Sequence, residues 1–242
     1  MHTETIELLH DLNREFYQSF AEPFAESRSR PQPGVASYLA AVGHAAPVLD
    51  LGCGSGSLAN ELDSLGHRGP YTGADSSSAL LRWARQHVEH DCAQFTMLDL
   101  AEPGWSGSLD PPYPWVFALG LIHHLPGAGR RRAWAAELGS MLPADGQVLV
   151  SVWNFTSEPR FLDRVVPWSR VGLGSDDIEQ GDYLLDWRRG GRGLRYVHLL
   201  DEAELSELAS AAGCQPVSVS YAGGTAGRLN LLQLWRARIA SD

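Results

Sequence analysis

The 242-residue sequence contains no lysine: all 19 of its basic residues are arginine. Chemistry that needs a lysine, whether a Schiff base or a P-loop phosphate ligand, is therefore excluded. Cysteine is scarce too. Cys53, Cys92 and Cys214 lie far apart and form no C-x-x-C pair, which suits free thiols in a reducing compartment rather than a disulfide framework. His87, His90 and Cys92 are close together but straddle an expected helix end, so they read as a solvated face and no metal site is expected. No apolar run approaches the roughly 18 residues of a membrane helix, and the acidic, interrupted "MHTETIELLHDLNREFYQSF" is unlike a signal peptide. A cytoplasmic protein without membrane contact is the expectation. Positive charge is also in deficit. The net charge of −10 works against unaided binding to a nucleic-acid backbone, unless a local patch overrides the whole-protein field.

What is present is a regular alternation. A leading helix is expected over Thr5–Phe20, then a link "SRSRPQP" and a helix over Gly34–Val42. Strand-like runs at Pro47–Leu51, Tyr71–Ala74, Gln94–Leu98, Trp115–Leu121 and Gln147–Trp153 alternate with helical patterns at Ser57–Leu65, Ser77–His90 and Arg130–Leu142. That pattern predicts an α/β fold with a parallel sheet covered by helices on both faces. The rhythm breaks from Glu158 to Val197, where "DYLLDW" and "LRYVHL" read as two strands joined by "RRGGRG", an insertion beside the sheet. A closing helix follows, capped by Asp201 with Glu204 and stopped by Gly213. Strands at Pro216–Tyr221 and Leu229–Arg238 bring the total to seven.

"VLDLGCGSGSLANEL" (Val48–Leu62) marks the first strand-to-helix turn, with Gly52, Gly54 and Gly56 at alternate positions. A dinucleotide turn reads G-x-G-x-x-G and seats a pyrophosphate at the helix start. Here the last glycine position holds Ser57, so the turn brings backbone close to a ligand that lacks a diphosphate. S-adenosylmethionine has that character. Asp75 at the end of the second strand is placed to accept from both ribose hydroxyls, Asp99 at the end of the third from an adenine amino group, and Asp50 at the end of the first to face the ammonium.

"DLGCGSG" together with "GAD" and "LIHHL" resembles the class I S-adenosylmethionine-dependent methyltransferases. Two flanking segments narrow the resemblance: "YQSFAEPFAESRSRPQP" (Tyr17–Pro33), and "GDYLLDW" followed by "RYVHLLDEAEL". Both are similar to the tRNA methyltransferases that esterify 5-carboxymethyl groups on wobble uridine. The resemblance implies a Rossmann-like seven-stranded sheet, mostly parallel with the last strand antiparallel, an N-terminal helical cap, and an insertion after the fifth strand. It implies a single domain, 1–242, divided into a cap (1–45), a donor-binding core (46–154), a substrate-side insertion (155–200) and closing elements (201–242). Its cofactor set comprises Tyr17, Arg28, Asp50, Gly52, Gly54, Asp75, Asp99 and Leu100. Arg28 would bind the methionine carboxylate and Tyr17 would help close the donor pocket.

On the acceptor side the resemblance implies Trp187, Arg195, Tyr196 and His198, with Arg195 suited to a carboxylate by its planar fork, and His123, just past the fourth strand, is a candidate by its place at the carboxyl edge of the sheet. Asn154 is a further candidate at the sheet edge, and the loop from Arg188 to Arg195 and the run Arg130–Arg132 are candidate phosphate contacts. Departures from the family pattern are Gln32 for tryptophan, Trp115 for an acidic residue, Asp186 for proline and Val197 for tyrosine. Partners implied are tRNA or a small-molecule acid and, by analogy with eukaryotic members, a small activator subunit. A small-molecule carboxyl or hydroxyl O-methyltransferase and a non-catalytic donor-binding subunit are the alternatives.

Overall fold

The computed structural model describes residues 1–28 and 30–238. Helix α1 (Thr3–Ser19) buries Thr5, Leu9, Asn13 and Phe16, a spacing that keeps all four on one face. After a break at Phe20 come α2 (Ala21–Glu26) and a single turn α3 (Ala36–Leu39). The helix expected from Gly34 shrinks to that turn because Gly34 holds φ +93°, where a Cβ would stand 2.7 Å from that of Ala222. The segment docks on the sheet instead of coiling.

Strand and helix then alternate: β1 (Val48–Leu51), α4 (Ser57–Ser64), β2 (Tyr71–Asp75), α5 (Ser78–His87), β3 (Ala93–Met97), β4 (Trp115–Leu119), α6 (Ala128–Gly139) and β5 (Gln147–Trp153). The insertion holds α7 (Pro159–Leu162), β6 (Val165–Val166), β7 (Asp182–Trp187) and β8 (Gly193–His198), and the chain closes with α8 (Glu202–Ala211), β9 (Cys214–Ala222) and β10 (Asn230–Ala237). Asp201 caps α8 by accepting the Glu204 N–H at 2.9 Å, and Gly213, at φ +68°, ends it.

The main sheet has the order β3-β2-β1-β4-β5-β10-β9. Strand β10 is antiparallel to both neighbours and the other pairs are parallel. Leu49, Leu51, Val148 and Val150 pack on one face with Trp134, Leu138 and Leu205, while Val48, Phe117 and Leu149 pack on the other with Leu39, Leu58 and Leu62. Burial on both faces explains why these strands read as continuous apolar runs. Strand order reverses between β1 and β4, so a crevice opens there at the carboxyl ends of the strands. The insertion forms its own sheet, β6-β7-β8, one strand more than the sequence pattern revealed. Among the described residues no helix is long and apolar enough to cross a membrane.

Gly52, Gly54 and Gly56 have φ of +73°, +54° and +76°, so every glycine of the turn sits in the left-handed region. A Cβ on Gly56 would stand 2.5 Å from Val88 Cγ2, with Phe95 and Ala84 close behind. Gly56 thus supplies the tight packing that a dinucleotide turn draws from a glycine one position later. Gly56→Ala should destabilise the fold by roughly 2–4 kcal/mol through overpacking and a strained backbone. Denaturant titration measures this; an unchanged midpoint would show that α5 yields freely.

Candidate active site

The crevice at the strand-order reversal is lined from every layer. Asp50, Gly52, Gly54, Asp75, Asp99 and Leu100 come from the ends of β1, β2 and β3. His123 and His124 follow β4, and Trp153 ends β5. Tyr17 comes from α1, Arg28, Arg30 and Gln32 from the link after α2, and Arg195 from β8. The space between these residues, open solvent at the mouth included, is about 1290 Å³.

One end of the crevice is acidic. Asp75 Oδ2 accepts the Gly54 N–H at 2.9 Å and Oδ1 the Ser77 N–H at 2.8 Å, so this carboxylate also fixes the glycine turn. Burial pushes its carboxyl up, against the pull of those N–H groups. Asp50 is buried, and its Oδ2 accepts the Tyr71 hydroxyl at 2.5 Å. Burial raises its carboxyl to about 7, opposed by Tyr71 and reinforced by the charge of Asp75. Asp99 accepts from His10 Nε2 at 3.1 Å and from the Ala101 N–H at 3.0 Å. Burial works against its charge, yet those donors hold the carboxyl below its ordinary value. A Cβ on Gly54 would meet nothing within 4 Å, leaving that backbone open to a ligand.

The other end is basic. Arg195 is only 5 % exposed, and its Nε has no hydrogen-bond partner among the described residues. Its guanidinium lies 4.6 Å from the Trp153 ring, 5.5 Å from Phe16 and 5.6 Å from Trp187, cushioned by ring faces. No carboxylate pairs with it among the described residues. Burial lowers its proton affinity, partly offset by Tyr17. The Tyr17 hydroxyl lies 2.6 Å from His124 Nε2, and His124 Nδ1 lies 3.0 Å from the Tyr196 carbonyl. The carbonyl requires an N–H at Nδ1, so Nε2 accepts the tyrosine proton.

Three expected acceptor residues are not on the crevice. Trp187 is packed edge-on against Phe16 and backs Arg195 instead of facing the cavity. Tyr196 and His198 project from the opposite face of β8, because successive residues of a strand alternate. The Tyr196 hydroxyl donates to Asp182 Oδ1 at 2.7 Å, and the same oxygen lies 2.7 Å from His198 Nδ1. His198 Nε2 lies 3.0 Å from Glu204, while Arg131 bonds Glu179 and Glu204, each at 3.1 Å. Arg131 is therefore a buried partner in this network and not a phosphate contact. Asp186 also leaves the anion site, on that opposite face of the hairpin, and pairs with Arg188 at 2.7 Å. The Arg188–Arg195 loop is docked, with Gly190 against Pro23 and Gly191 and Gly193 against Phe20. Asn154 bonds the Arg228 carbonyl, away from the crevice. His90 pairs with buried His67 at 2.9 Å, whereas Cys92 is exposed.

Sequence reasoning did not find His10, Asn13, Gln32 or Trp153 as site residues. Asn13 brackets Tyr196, accepting its N–H at 2.8 Å and donating to its carbonyl at 3.1 Å and to that of His124 at 3.2 Å.

The family described as Methyltransferase domain matches residues 9–219. The chain belongs to this methyltransferase family. Three acidic groups around one crevice repel a diphosphate and suit the ammonium, sulfonium and hydroxyl groups of S-adenosylmethionine, and the chain is an S-adenosylmethionine-dependent methyltransferase domain. It is 30% identical over 158 residues to the Mus musculus tRNA (carboxymethyluridine(34)-5-O)-methyltransferase ALKBH8, covering 64% of this chain and 22% of that protein. With trans-aconitate 2-methyltransferase of Delftia acidovorans it shares 35% identity over 122 residues, 50% of this chain and 40% of the relative. The chain thus spans well under half the length of either. Magnesium protoporphyrin IX methyltransferase from Synechocystis, solved with bound SAH, superposes with a TM-score of 0.62 at 18% identity, covering 93% of this chain and 97% of that one.

The buried network of the methyltransferase makes its own prediction. Burial opposes a charge on His198, but hydrogen bonds from its ring to the Asp182 and Glu204 carboxylates prevail and raise its pKa above 6.5. The stabilisation is complete below about 6.5 and fades as pH rises through the folded-state value. His198→Gln should flatten that alkaline slope of the melting temperature while leaving donor affinity intact. A slope identical to that of the parent protein would remove His198 as its source.

Proposed function

We propose that this methyltransferase esterifies a carboxylate, and that the acceptor is a 5-carboxymethyl group on a tRNA wobble uridine. The observation that carries the carboxylate is Arg195: a desolvated guanidinium with no acidic partner, opening on the crevice. A buried charge is normally paired, and an acceptor carboxylate supplies the missing anion with two parallel hydrogen bonds. The relatives ALKBH8 and trans-aconitate methyltransferase act, by name, on carboxymethyluridine and on a carboxylic acid, which supports the reading. The Tyr17–Pro33 segment and the hairpin support tRNA.

In this reading Asp75 accepts from the ribose hydroxyls, Asp99 from the adenine amino group, and Asp50 faces the ammonium. Arg28 meets the methionine carboxylate, Gly52 and Gly54 bring backbone close, and Leu100 gives an apolar wall. The donor supplies a methyl group on a positively charged sulfur. Arg195 holds one carboxylate oxygen in line with it, and Trp153, Phe16 and Tyr17 exclude water. An ionised carboxylate carries its own lone pair, so no general base is needed. His123 suits that economy: burial, then the neighbouring His124 and the Arg195 guanidinium, holds its pKa well below the ordinary value, so it stays neutral and donates a hydrogen bond.

A small-molecule acid is the second reading. The net charge of −10 and the docked loop with Arg188 tied to Asp186 favour it, since they leave less positive surface for a phosphate backbone.

Labelled donor incubated with an anticodon stem-loop bearing 5-carboxymethyluridine, and separately with trans-aconitate, distinguishes the two readings, and alkaline release of the label identifies an ester. Arg195→Ala should cut kcat/KM on the order of 100-fold, equivalent to about 2–3 kcal/mol for a lost charged hydrogen bond, with donor affinity retained. Equal loss of both would take Arg195 off the acceptor. A second outcome concerns pH. Asp50 titrates near 7, and only its ionised form attracts an ammonium, so donor affinity should fall as pH drops below 7 and do so less in Asp50→Asn. Calorimetry across pH 5.5–8.5 measures it.

A further inference from the structure

Gln32 stands between two prolines in the link that borders the crevice. The buried Ser151 hydroxyl donates to its Oε1 at 2.6 Å, which fixes the amide orientation and sets Nε2 beside Gly120. Nε2 lies 2.5 Å from where a Cβ of Gly120 would be, and His123 Cε1 lies 3.8 Å from that same point. Gly120, at φ +72°, is what admits Gln32 so closely. Among the described residues Nε2 has no hydrogen-bond partner.

His123 presents the same polarity. Its Nδ1 accepts the Trp153 N–H at 3.4 Å, so the ring proton resides on Nε2. His123 is 3 % exposed and lines the crevice. Trp153, whose N–H orients His123, is also the ring that Arg195 covers at 4.6 Å. Asn230, also at this end, donates one amide hydrogen to the Ala222 carbonyl at 3.2 Å. The acceptor end therefore gathers an arginine fork, an amide NH₂ and an imidazole N–H, with no carboxylate among them. One carboxylate satisfies the fork and leaves the two neutral donors facing a second oxygen.

We infer that Gln32, with His123, forms a subsite beside Arg195 for a second oxygen of the acceptor, and that Gln32 sets specificity for acids carrying a carbonyl or another carboxylate near the one methylated. This rests on the carboxylate reading above. Two sources share that chemistry: the C4 carbonyl of a 5-carboxymethyl uracil and the neighbouring carboxylate of a polycarboxylic acid.

The test compares the parent protein, Gln32→Met and Gln32→Glu on three probes: the 5-carboxymethyluridine stem-loop, trans-aconitate, and phenylacetate, which has one carboxylate and no other oxygen. The readout is selectivity, the ratio of kcat/KM for each two-oxygen acid to that for phenylacetate, with Ki replacing it for an acid not turned over. Gln32→Met should lower selectivity about tenfold, the equivalent of one neutral hydrogen bond. Gln32→Glu, which keeps an oxygen for Ser151, should lower it further by repulsion. The source is the probe whose ratio moves. Selectivity unchanged in both variants, with donor affinity and melting temperature preserved, would overturn the inference while leaving the carboxylate reading in place. If the parent protein neither methylates nor binds any of the three, or Arg195→Ala keeps full activity, the carboxylate reading fails and the subsite with it.

Discussion

A guanidinium removed from water without a counter-ion is the constraint around which this molecule is arranged. Burying an unpaired charge is costly, and Arg195 offsets part of that cost on the faces of Trp153, Phe16 and Trp187. Rings fix the cation without neutralising it, so its attraction for an anion is kept. Those rings come from β5, α1 and β7, so the acceptor end exists only when sheet, cap and insertion are all in place. The opposite end carries Asp50, Asp75 and Asp99, and the crevice is polarised along its length. On the carboxylate reading proposed above, a cationic donor and an anionic acceptor match that gradient, and methyl transfer removes the sulfonium and carboxylate charges together. On that reading the ester formed leaves Arg195 without its anion, a change that would weaken product binding.

The glycine turn holds the acidic end together, and its three glycines have separate tasks. Gly56 is needed for packing against Val88, and Gly52 lies against Leu121, where a Cβ would stand at 3.2 Å. Gly54 is the one with open space on its Cα, and its N–H is bound by Asp75. The carboxylate proposed for the ribose thus also shapes the loop proposed for the methionine end. Disturbing either disturbs both.

Much of this was legible in the sequence. Strands buried on both faces show as apolar runs, and the residues just past them fall at the sheet edge by topology alone, which is why Asp50, Asp75, Asp99 and His123 all reach the crevice. The hairpin was harder. Arg195, Tyr196 and His198 are near one another in sequence, but the pleat sends Arg195 to one face and the other two to a buried network with Asp182. The period of two in "LRYVHL" carried that information. Trp187 shares the Arg195 face yet sits behind it, a distinction that depends on packing depth. His10, Asn13 and Gln32 had no local signal, since their roles arise only when a helix or link meets distant strands.

Asn13 shows how tightly those distant parts are joined. A strand edge offers an N–H and a carbonyl at every second residue, and the Asn13 amide completes both at Tyr196, one residue from Arg195, while reaching the His124 carbonyl as well. Helix α1 is thereby bound to the arginine strand and to the loop after β4 through buried hydrogen bonds, each costing about 1–3 kcal/mol if left open. Tyr17, one turn further along α1, is oriented by His124 through the same attachment. A helix fixed in this way is a wall of the site and not a hinged lid. Arg28 and Arg30 are exposed residues that also line the crevice. Gln32 lies just beyond them, and its amide rests against Gly120 at the sheet edge, so the link carrying the two arginines is seated on the sheet as the helix is on the hairpin.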